Sequence, residues 1–197
     1  MSPADPASIA LDQLADQIKT CSMCRLCEGR TNAVPGTGNY RANVLFVGEG
    51  PGKSEDEQGI PFCGASGKFL DELLRSIGME RSDVFITNVV KCRPPANRDP
   101  LPDEKATCTE TYLDKQIALI KPKLIVTLGR HAMSHFLPPE YKISQIHGQP
   151  KRIKGQVYLF LYHPAAALYN GGMRETLIQD FTNISRVLNT LSKPEPE

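Results

Sequence analysis

The segment Phe85-Ile-Thr-Asn-Val-Val-Lys-Cys-Arg-Pro-Pro-Ala-Asn-Arg98 carries two kinds of chemistry in one short stretch. Asn88 interrupts a β-branched, apolar run with a side-chain amide, a group that offers both a donor and an acceptor to one edge of a ligand. Cys92 follows as a soft metal ligand. Arg93 and two prolines then forbid both helix and ladder, so a basic turn must end the segment. Lys91, Arg93 and Arg98 are candidates for a lip that meets phosphate, although as loop charges they need no function.

The cysteines extend the second kind of chemistry. Cys21-Ser-Met-Cys24 is a Cys-x-x-Cys pair, and Cys92 and Cys108 bring two further thiols. Four thiolates hold either zinc or an iron–sulfur cluster, and composition alone leaves both open. A thioredoxin-like redox pair is disfavoured because no buried strand precedes Cys21. Cys27 and Cys63 read as small buried apolar groups.

Three further pieces could face a ligand. Gly48-Glu-Gly-Pro-Gly52 lacks the lysine and serine of a phosphate loop and the spacing of a dinucleotide loop. Its glycines still let a planar ligand approach the backbone and its amides. Phe62, in Pro61-Phe-Cys-Gly64, offers an aromatic face beside a tight turn. His163 precedes a proline, which biases it towards extended backbone at a strand end. His131, His135 and His147 have no such company and read as packing or surface residues.

The elements that must position these groups follow from periodicity. Val44–Val47, Val84–Val90, Leu124–Leu128 and Val157–Leu161 are buried strands. Residues 9–20, 65–77, 102–120, 129–136 and 174–191 are helices. Strands that alternate with helices argue an α/β domain with a parallel sheet covered on both faces. In such sheets ligands bind beyond the carboxyl ends of the strands. Gly48-Glu49-Gly50, Asn88 and His163 all fall at those ends, so they are expected to share one pocket. Residues 1–8 and 192–197 are Pro-rich and polar and are expected to be disordered tails around a single domain over 9–191.

Composition narrows the class. The 197 residues carry a formal net charge of +1, so any polyanion must be met by a local patch. No apolar run approaches a membrane span, and the first residues lack the features of a signal peptide. A cytosolic location is expected, and with it thiols or metal ligands rather than disulfides.

As an ordered set, Gly48–Gly52, Pro61–Gly64, Thr87–Pro95 and His163-Pro-Ala-Ala166, with Cys21-x-x-Cys24 and Cys108, resemble the iron–sulfur, family 4 uracil-DNA glycosylases over Cys21 to Leu188. The resemblance implies a three-layer αβα sandwich with a central four-stranded parallel sheet. It implies a [4Fe–4S] cluster at Cys21, Cys24, Cys92 and Cys108, and uracil contacts at Gly48, Glu49, Gly50, Phe62, Asn88 and His163. The implied activity is hydrolysis of the N-glycosidic bond of deoxyuridine in DNA, by a monomer that flips the base into the pocket. Asn88 and His163 would carry the chemistry. Gly50 stands where some related families have a water-activating Asp, which makes Glu49 and Glu55 candidates to replace it. The competing reading is a non-catalytic iron–sulfur protein that binds DNA or transfers electrons. In that case Asn88 and His163 could be replaced without consequence.

Overall fold

The computed structural model describes residues 5–192. Six strands form one sheet: β1 (Thr37–Gly38), β2 (Val44–Gly48), β3 (Phe85–Asn88), β4 (Leu124–Leu128), β5 (Pro150–Ile153) and β6 (Gln156–Leu161). Their order is β1-β3-β2-β4-β6-β5. The inner four are parallel, with Gly48 beside Asn88 and Leu128 beside Leu161 in register. β1 and β5 pair antiparallel at the two edges.

The sheet is therefore mixed and six-stranded, not purely parallel and four-stranded as expected. Both added strands are hard to read from sequence. A Cβ on Gly38 would lie 2.0 Å from the Val84 carbonyl oxygen, so β1 is a close backbone approach that depends on a glycine. Lys151 and Arg152 give β5 the charged character that protects a sheet edge.

The helices are α1 (Pro6–Lys19), α2 (Lys53–Gln58), α3 (Ala65–Ser76), α4 (Pro102–Cys108), α5 (Asp114–Ile120), α6 (Arg130–Phe136), α7 (Ile143–Ile146), α8 (Ala166–Tyr169) and α9 (Gly172–Leu191). Alternate strand residues feed two cores. Val44, Phe46, Val126, Leu159 and Leu161 pack against Leu70, Leu73 and Leu74 of α3 and Leu177, Phe181 and Ile184 of α9. Leu45, Val47, Phe85 and Ile125 pack against Leu11, Leu14 and Ile18 of α1 and Leu113 and Ile120 around α5. The inner strands β2, β3 and β4 are buried on both faces, which is why they read as continuous apolar runs.

Two expectations about the ends need correction. Pro6 to Ser8 are the first turn of α1, with Asp5 as its N-cap, so the described part of residues 1–8 is not a disordered tail. Proline is well suited to that first helical position. Residues 1–4 and 193–197 lie outside the described residues, while Ser192 ends α9 by donating its N–H to Leu188. The helix expected over 102–120 is interrupted by a π-helical turn at Thr109–Leu113, directly after Cys108.

Candidate active site

The carboxyl ends of β2, β3 and β6 open onto a cleft of about 370 Å³. Glu49, Gly50, Pro51, Glu55, Phe62 and Asn88 line it, with His163 and Arg98 on the remaining sides. The shared pocket expected from strand-end positions is thus present, with Gly48 beneath it. A Cβ at Gly48 would lie 2.3 Å from Asn88 Oδ1 and 2.7 Å from Phe62 Cζ. Glycine there lets the amide and the ring close over the end of β2.

Asn88 is 2% exposed and its side chain opens into the cleft. Its backbone carbonyl accepts from the Lys91 ammonium at 2.8 Å. Lys91 also donates to Thr87 Oγ1 at 2.6 Å and to Gln116 Oε1 at 2.7 Å. It is only 1% exposed, so its expected place on a phosphate lip is wrong. Burial lowers its pKa to about 8, and its three acceptors explain how an ammonium is accommodated there at all. Gln116 in turn donates to the Pro35 carbonyl at 2.8 Å, so one network supports the end of β3 from behind.

His163 is set by its neighbours. Its Nδ1 accepts from the Ala165 backbone N–H at 3.1 Å. That bond assigns the proton of the neutral ring to Nε2, which makes Nε2 a donor. Burial pushes the pKa of His163 down to about 4, opposed by the Glu55 carboxylate. The imidazole is therefore neutral near pH 7. Its ring stacks against Phe62 at 5.4 Å between centroids and 23° between planes. Gly129, with φ of 92°, allows the close approach, since a Cβ there would lie 3.2 Å from His163 Cβ.

The two candidate carboxylates differ. Glu55 accepts from Gly52 N–H at 3.1 Å through Oε2, and from Cys63 and Gly64 N–H at 3.0 Å through Oε1. It ties the glycine loop to the Phe62 turn. Glu49 is half-buried, and its pKa is raised by burial and by Asp99, against the pull of Arg130. Its Oε2 lies 3.9 Å from His131 Nε2, which is 3.2 Å from Asp99 Oδ2. Glu49, Asp99 and His131 bring ligand atoms within 4.8 Å of one another, a group of the kind that can hold a metal ion. Arg130 Nε donates to the same His131 nitrogen at 2.9 Å, so a fixed cation already stands among them. His131 read as a packing or surface residue in the sequence; the β4–α6 turn brings it beside Glu49 because β4 is the neighbour of β2.

The sequence profile of the Uracil DNA glycosylase superfamily matches residues 35–187. A type-4 uracil-DNA glycosylase of Sulfurisphaera tokodaii is 44% identical over 193 residues, covering 92% of this chain and 86% of that protein. One from Saccharolobus solfataricus is 45% identical over 197 residues, at 93% and 88% coverage. One from Thermotoga maritima is 41% identical over 174 residues, at 86% and 90% coverage. The chain belongs to the family 4 uracil-DNA glycosylases.

On the far side of β3 this glycosylase gathers four of its six cysteines. Cys21, Cys24, Cys92 and Cys108 line one small cavity with Ile18, Met23 and Tyr112. Cys92 Sγ accepts from Arg30 Nη1 at 3.1 Å, and Cys108 Sγ from the Lys91 backbone N–H at 3.3 Å. All six cysteines are free. Burial raises the pKa of Cys24 and Cys92 and pushes Cys108 up to about 11, which makes them poor redox nucleophiles as free thiols. Cys27 and Cys63 do not line this cavity, and both are partly rather than fully buried.

The remaining lip residues are unequal. Arg98 makes a two-pronged ion pair with the fully buried Glu104, at 2.9 and 2.7 Å, so its charge is offset. Arg93 Nε donates to Asn97 Oδ1 at 2.7 Å and, among the described residues, makes no ion pair with a carboxylate. Replacing Arg93 by Ala is expected to weaken binding to any duplex and to flatten the dependence of log affinity on log salt by about 0.9. Titrations at several salt concentrations check this, and an unchanged slope would take Arg93 off the DNA path. Among the described residues no helix is long and apolar enough to cross a membrane.

Proposed function

We propose that this family 4 uracil-DNA glycosylase hydrolyses the N-glycosidic bond of deoxyuridine with the base turned out of DNA into the cleft of Asn88, Phe62 and His163. The observation that carries the assignment is the convergence of an amide, an aromatic ring and a neutral imidazole in one cleft at the sheet's carboxyl edge. Asn88 accepts from uracil N3–H and donates to O4. Cytosine reverses that donor and acceptor pattern and is rejected while the amide keeps one orientation. Phe62 offers its ring to the base, and the glycine loop offers backbone amides around Gly48, Glu49 and Gly50.

Breaking the bond leaves positive charge on the sugar and negative charge on the departing uracil. His163 donates from Nε2 to the uracil O2, where that charge collects, and need not transfer a proton. Glu49 is the better candidate to orient the attacking water, because it is half-buried in the cleft wall and its oxygens are not held by backbone N–H groups. Glu55, with both oxygens so held, shapes the loops.

Cys21, Cys24, Cys92 and Cys108 would hold a [4Fe–4S] cluster. The donor set fits: four thiols from three distant segments surround one cavity, with N–H groups directed at three of the sulfurs. A bound cluster would cross-link the end of α1, the Cys92 loop and the end of α4, holding Asn88 and Arg93 from behind. Alanine at any of these four positions is expected to remove iron, colour and solubility, whereas Cys27→Ala and Cys63→Ala keep all three. Metal analysis of anaerobically purified protein decides it, and stoichiometric zinc without iron would refute the cluster.

The proposed reaction is tested by incubating iron-replete protein with an oligonucleotide that contains one uracil. Free uracil and an alkali-labile abasic site are expected. Intact DNA after stoichiometric incubation would contradict the proposal.

A further inference from the structure

The aromatic ring of the cleft sits on a backbone that does not favour it. Phe62 has φ of 52°, in the left-handed region that a bulky side chain rarely adopts. Such a conformation persists where the surroundings over-determine it. Here the surroundings converge on one side chain that does not line the cleft. Arg81, in the short turn Arg81–Asp83 before β3, donates from Nη1 to the Pro61 carbonyl at 3.0 Å. Its Nη2 donates to the Phe62 carbonyl and, at 3.4 Å, to the Gly67 carbonyl. Its Nε donates to Asp71 Oδ1 at 2.6 Å, which fixes the plane of the guanidinium. Gly67 completes the arrangement, since a Cβ there would fall 1.6 Å from the Phe62 carbonyl oxygen. A planar fork with five donors can hold three carbonyls and a carboxylate together, which the point charge of a lysine cannot do.

We infer that Arg81, held by Asp71, is a positioning residue that fixes the Phe62 ring against His163 and thereby sets the shape of the uracil site. The inference rests on the assignment of Phe62 to the uracil site. It adds a residue that no motif marks and that touches no substrate. A purely structural arginine would lower stability alone, whereas a positioning arginine acts on excision through Phe62.

A double-mutant cycle separates the two. The value of kcat/KM for uracil excision is measured for the wild type, Arg81→Met, Phe62→Ala and the pair, with thermal stability of each alongside. Arg81→Met is expected to lower kcat/KM by about tenfold to a hundredfold, the scale of a 1 Å misplacement in a site. In the Phe62→Ala background it should add almost nothing, because the ring it positions is gone. Should Arg81→Met fail to fold, Asp71→Asn takes its place and should show a smaller loss with the same dependence on Phe62. Equal fold-losses in both backgrounds, or no loss with Phe62 present, would overturn the inference for Arg81 alone. A Phe62→Ala enzyme with unchanged kcat/KM would instead overturn the assignment of Phe62, and the inference with it.

Discussion

Replacing His163 by Ala lowers the single-turnover rate of uracil excision roughly 100- to 1000-fold, the usual effect of removing one preorganised donor from a developing oxyanion. Binding of a non-cleavable uracil-DNA analogue changes far less, because the donor gains most of its worth as charge builds on O2. The structure gives the reason in two bonds. Ala165 N–H occupies Nδ1, which assigns the ring proton to Nε2, and burial keeps the ring neutral down to about pH 4. Protonating Nδ1 would set two donors against each other. Activity should accordingly show no acid limb near 6.5, the ordinary value for histidine.

The same depressed pKa has a signed effect on stability. Between about 4 and 6.5 the unfolded chain binds a proton at His163 that the folded chain does not. Stability from this group is complete above 6.5 and is lost as the pH falls towards 4. Chemical denaturation of wild type and His163→Ala across that window should show the wild type losing relative stability on acidification. A rate loss below about tenfold in the alanine variant, well short of the usual effect of a lost donor, would move the catalytic role to Glu49.

Asn88→Asp should abolish most uracil excision, because a carboxylate accepts from N3–H but cannot donate to O4. Sites built to pair with a specific polar edge discriminate by up to about 10,000-fold or more when that pairing fails. The loss expected here is at least about a hundredfold, since one of the two bonds survives. A carboxylate can accept from the amino group of cytosine, so slow release of cytosine should accompany the loss. The variant should keep its fold. Lys91 holds the backbone carbonyl of residue 88, not its side chain, so that support is retained. Time courses on matched oligonucleotides containing uracil or cytosine measure both arms, and undiminished uracil turnover would show that the amide does not read the base.

How far the site was legible depends on what kind of position each residue holds. Asn88 and His163 could be found because a polar side chain at the end of an apolar run is conspicuous, and parallel sheets gather strand ends. The inner strands β2, β3 and β4 were legible for the same reason, since each is buried on both faces. Lys91 was misread because a lysine between an apolar run and Cys92-Arg93 looks exposed. The chain turns inward there, and the signal lay in Thr87 and Gln116, polar residues within otherwise buried faces that await a partner. His131 was missed because its neighbour Glu49 is set by strand order, with β4 beside β2, which spacing does not reveal. Arg81 carries no motif and becomes visible only through the three carbonyls it meets. The edge strands depend on one glycine contact and one charged hairpin, neither of which has an apolar period.

The most direct test of the cleft as a uracil reader is a crystal structure of the protein with free uracil bound at neutral pH. The base is expected beside Phe62, with its N3–H and O4 edge against the Asn88 amide and its O2 facing His163 Nε2. Uracil seated elsewhere, or seated in the cleft with the Asn88 amide untouched, would contradict the account.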